Sequence, residues 1–194
     1  MSGNSGQGVH SVGRDNTTLL SAADDQNISS LLSASAWNVS FPTSSADYGT
    51  QATYGDPAPF NGFSVLTAQQ QGEVLRAFSL VSTYTNLTFT KITETTTTHA
   101  AIRLANSSSP PTSYAFYPST APTGGDVFYG GTGQHPVMGN FDSGQATLHE
   151  IGHALGLKHG QDNNTYGVMN ANRLDIEFSL MNYDTEIAET LGFF

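Results

Sequence analysis

The chain has 194 residues, charged side chains make up only 11% of it, and six Lys plus Arg against sixteen Asp plus Glu leave a formal net charge of −10. That balance repels nucleic acid and anionic lipid, so neither is expected as a partner. With no cysteine there are no disulfides and no thiolate ligands, and a bound metal would have to be held by His, Asp or Glu.

Residues 1–30 are rich in Gly, Ser and Asn without apolar periodicity, which predicts a flexible leader before one domain over 31–194. No basic segment followed by a hydrophobic stretch marks a conventional signal peptide, and no apolar run approaches a membrane span. From Ala36, the alternation of Trp37, Val39 and Phe41 up to Pro42 predicts the first strand. Thr67-Ala68-Gln69-Gln70 is a capping-box pattern that opens a helix, with Val74, Leu75, Phe78 and Val81 along its buried face. Three further runs read as strands: 87–93, 100–105 with Ile102 and Leu104 inward, and 113–117. Val127, Phe128 and Tyr129 stand between glycines, which suits an edge strand that backbone or ligand can approach closely. A final helix, capped by Asp142 or Ser143, runs through Ala146, Leu148, Ile151 and Leu155 to end near Gly156.

That helix carries His149-Glu150-Ile151-Gly152-His153, followed by Gly156 and His159. Histidines four apart share one helix face, so His149 and His153 can aim at a single ion. Glu150 projects slightly around the helix, where its carboxylate reaches a water on the metal rather than the metal. Gly156 permits the chain to leave the helix and return His159 as a third ligand. Three neutral imidazoles leave one tetrahedral position open to water, which describes a hydrolytic rather than a closed structural site. His10, His99 and His135 match no motif and read as surface or loop residues.

The segment from His149 to His159 resembles the extended zinc-binding motif of the metzincins, and Ser179-Leu180-Met181-Asn182-Tyr183 resembles their Met-turn. Ala100-Ala101-Ile102-Arg103 and Gly125-Asp126-Val127-Phe128-Tyr129 extend the likeness to the catalytic domain of bacterial serralysins, although Gly160 stands where serralysins usually carry proline. The resemblance implies an α+β, zincin-like domain: a twisted, mixed five-stranded sheet with two long helices, above an irregular C-terminal lobe, with a cleft between. It implies zinc on His149, His153 and His159, with calcium as a second candidate ion, and Glu150 as the base. Met181 would form an apolar floor, Tyr183 would be a catalytic residue able to touch the metal, and Val127 to Tyr129 would pair with extended substrate. The activity implied is that of a secreted, monomeric bacterial endopeptidase acting on polypeptides and open to a proteinaceous inhibitor. The alternatives are a self-processing protease domain and a zinc-stabilised binding module without turnover.

Overall fold

The computed structural model describes residues 35–108, 112–131, 136, 141–163, 168, 174 and 179–182. The leader expected over 1–30, His10, His135 and Tyr183 lie outside them. Residues 34–156 form one compact unit, and a second takes in 157–194. The first unit holds strands β1 (Ala36–Ser40), β2 (Phe63–Ser64), β3 (Thr88–Lys91), β4 (Ile102–Ser107), β5 (Tyr114–Ala115) and β6 (Val127–Tyr129). It also holds helices α1 (Gln51–Tyr54), α2 (Ala68–Tyr84) and α3 (Phe141–Ala154).

The sheet runs β3-β1-β4-β6-β5, with the two-residue β2 pairing antiparallel to β4 as a sixth strand that periodicity does not reveal. The pairs β1–β3, β1–β4 and β4–β6 are parallel, and β5 is antiparallel to β6. This is the mixed sheet with long helices that the sequence predicts. β4 is buried along its whole length, as a central parallel strand covered on both faces must be.

One expectation fails. Val127 to Tyr129 do not form the sheet edge: β6 sits between β4 and β5, with all three residues fully buried, and the edge beside it is Tyr114–Ala115. Glycines on either side suggested an approachable strand, but three successive large apolar side chains need cover on both faces and therefore an interior place. Two smaller corrections concern the helices. Leu75 on α2 is exposed, while Val74, Ala77 and Phe78 face inward. α3 already begins at Phe141, so Asp142 and Ser143 belong to its first turn rather than to its cap. The Thr67 capping box does form, with Gln70 N donating to Thr67 Oγ1 (3.2 Å) and Thr67 N to Gln70 Oε1 (2.8 Å).

Alternation along paired strands divides the core between two faces. Phe128 and Ala105 join Tyr48 and Tyr54 in an aromatic cluster edged by Phe63 and Tyr114. Val127 and Tyr129 point the other way, toward the face on which α3 packs. α2 also packs on α3, and its Phe78 meets Phe89 of β3 with ring centroids 4.5 Å apart.

A buried charge pair joins these layers. The Arg103 guanidinium grips Asp126 through Nε–Oδ1 (2.9 Å) and Nη2–Oδ2 (2.6 Å), donates to the carbonyls of Asp47 and Pro122, and lies over the Tyr48 ring at 4.6 Å. The Tyr54 hydroxyl donates to Asp126 Oδ2 (2.6 Å). Burial pushes the Asp126 carboxyl up, to about 6, against the opposing pull of Arg103 and Tyr54, so the pair is charged at neutral pH. Gly125, at φ 80°, brings its backbone against Ala101: a Cβ there would stand 2.4 Å from the Ala101 carbonyl oxygen. No helix among the described residues is long and apolar enough to cross a membrane.

Candidate metal centre

Helix α3 stacks His149 and His153 one turn apart, with ring planes at 87°, centroids 4.7 Å apart and Nε2 atoms 3.1 Å apart. Both are buried. The helix ends as Leu155 N donates to Ile151 O (2.9 Å) and Gly156 N to His153 O (2.7 Å). Gly156 adopts φ 97°, a backbone state that favours glycine, and the chain turns there as its spacing predicts. His159 follows three residues later. Ring nitrogens of His149, His153 and His159 all lie within 4.8 Å of one another.

The donors fit zinc. Two nitrogens bound tetrahedrally at ~2.0–2.1 Å stand roughly 3.3 Å apart, close to the spacing of His149 and His153, and three imidazoles form a usual catalytic zinc set. Asp162 adds a feature that motif spacing does not mark. Its Oδ2 lies 3.2 Å from His159 Nδ1 and accepts from His159 N (3.2 Å), which leaves Nε2 of that ring for a metal.

Glu150 is also buried, and its Oε2 makes no hydrogen bond. Burial pushes its carboxyl up to about 7, near the working range of a general base. Tyr117, just beyond the edge strand β5, is half exposed and meets His153 edge-on at 5.5 Å. Nothing in the sequence singles it out.

Ser179 to Asn182 form a tight turn in which Asn182 N donates to Ser179 O (3.0 Å) and Met181 N to Ser179 Oγ (3.2 Å). Asn182 Oδ1 accepts from Gly160 N (3.2 Å), so the turn is tied to the residue following His159. Met181 is buried, in keeping with an apolar role. His99 pairs at the surface with Glu94 (2.8 Å), as expected of a histidine outside the motif.

No curated protein gives a significant match to this chain. The family model described as matrixin, a peptidase family, matches residues 61–191, well over half of the chain and the whole of the histidine segment. The chain therefore belongs to the matrixin family of zinc metalloproteases, within the metzincins that its histidine spacing resembles.

Proposed function

We propose that the chain is a secreted endopeptidase that holds a polypeptide in extended form along β5 and cuts it at the histidine centre. The observation that carries this reading is the convergence of three imidazoles beside a buried carboxylate with no competing hydrogen bond on Oε2. When bound, zinc would polarise the scissile carbonyl and acidify the attacking water. Glu150 takes the proton from that water and passes it to the leaving amine, the two-way role of a base whose value lies near neutrality. Among the described residues β5 pairs only with β6, and its other side offers backbone groups that an extended peptide can use. The substrate edge thus moves from Val127–Tyr129 to Tyr114–Ala115, with Tyr117 flanking it. Tyr183, next after the 179–182 turn, supplies a hydroxyl to the developing oxyanion. The serralysin likeness, carried by the Ala100 to Arg103 and Gly125 to Tyr129 segments, favours a bacterial, extracellular enzyme.

Incubation of an unfolded protein with zinc-loaded chain, followed by sequencing of the fragments, tests this directly. Cleavage should stop on chelation and fall by ~10² to 10⁴ in Glu150→Ala, with zinc still bound. An undiminished rate in that variant would remove Glu150 from the mechanism. Cleavage confined to the chain itself would favour self-processing, and none at all a binding module.

A further inference from the structure

Tyr114 and Phe116 pack against the aromatic cluster of Tyr48, Tyr54 and Phe128, on one face of the sheet. Phe116 N donates to Asp126 O (2.9 Å) and Gly125 N to Tyr117 O (3.4 Å), which carries the extended run of β5 on to Tyr117. Side chains alternate along such a run, so Ala115 and Tyr117 project on the opposite face, the one on which α3 packs. The ring contact agrees: Tyr117 meets His153 of α3 with centroids 5.5 Å apart and planes at 89°. His153 is buried, whereas Tyr117 is 47% exposed. Part of the Tyr117 ring therefore covers a candidate ligand, and the remainder stands open to solvent at the end of the sheet edge.

We propose that Tyr117 is a specificity-determining residue whose exposed ring packs against an aromatic or branched apolar side chain of the bound polypeptide. The proposal rests on the reading of β5 as the substrate edge, and it names the class of side chain that this edge selects. An extended peptide added to an edge strand lays its side chains on the same two faces, with opposed pairs ~4.5–5.5 Å apart and diagonal ones within reach of an aromatic ring. A ring separation of 5.5 Å is less than two residues of extended chain at ~3.3 Å each, so the favoured residue lies within about three positions of the cut. An apolar partner removes the rest of the ring from water, whereas a charged one would have to shed its own hydration there.

Zinc-loaded chain is tested on peptides carrying Phe, Leu, Ala or Asp in turn at each of the three positions on either side of the cut. At one position kcat/KM should favour Phe and Leu over Ala by ~10-fold, the low end for an apolar pocket because the ring is half exposed. Tyr117→Ala should bring that ratio to within about twofold and leave zinc content and cleavage of the Ala peptide nearly unchanged, while Tyr117→Phe keeps the preference. An undiminished preference in Tyr117→Ala would overturn the proposal. So would an equal loss on every peptide, which is what a ring that only braces His153 would give. Binding of the same peptides to zinc-loaded Glu150→Ala protein, with and without Tyr117→Ala, separates the two readings. Selective binding that depends on Tyr117, in a chain whose wild type cuts none of the peptides, sinks the endopeptidase reading alone, whereas cleavage without selectivity sinks only the role of Tyr117.

Discussion

Asp126→Asn removes the charge opposite Arg103 while nearly preserving shape. The guanidinium, only 8% exposed at its side chain, would keep the carbonyls of Asp47 and Pro122 and the faces of Tyr48 and Tyr54 but lose its counter-charge. Two bonds at 2.6 and 2.9 Å between opposite charges would be reduced to at most one from the guanidinium to a neutral amide oxygen, and the Tyr54 hydroxyl would lose a charged acceptor. Breaking a buried pair from one side costs about 3–5 kcal/mol, because the remaining charge is left uncompensated. At ~2–4 °C per kcal/mol for a domain of this size, Tm should fall by roughly 6 to 20 °C. Circular dichroism during heating measures this, with both proteins saturated in zinc so that metal linkage is equal. The double variant Arg103→Met/Asp126→Leu should recover part of the loss, since apolar replacement of a buried pair is often nearly neutral. Recovery would be partial because Arg103 also ties the 3-10 turn Ser45–Tyr48 and the turn at Pro122 through their carbonyls. A fall of under about 2 °C in Asp126→Asn would refute the claim that this pair holds the layers together.

Two more expectations concern the metal centre. Asp162→Ala frees His159 Nδ1 and should weaken zinc binding by about 10-fold, the low end for an orienting carboxylate because Asp162 is partly exposed. Competition with a metal-sensitive dye measures it, and an unchanged affinity would show the contact to be incidental. Tyr183→Phe keeps the ring and should lower kcat by roughly 10- to 10³-fold with little change in KM. An effect confined to KM in steady-state assays would make Tyr183 a packing residue.

The candidate zinc ligands were legible in the chain because helical periodicity alone puts His149 and His153 on one face, and a residue such as Gly156 lets the chain turn back to His159. The capping box at Thr67 was equally legible, since its partners are three residues apart and need no other part of the fold. Local pattern failed where the outcome depended on neighbours. Glycines around Val127–Tyr129 promised an edge, but strand order is fixed by which surfaces bury one another, and β5 took the outside. Arg103 and Asp126 stood in two separate segments, and only the parallel pairing of β4 with β6 brought them together. Sequence determined the candidate ligands His149 and His153 and the neighbouring Glu150 through spacing along a single helix, with Gly156 turning the chain toward His159, and tertiary packing decided what surrounds them, because burial and pairing are properties of elements that meet only in the folded chain.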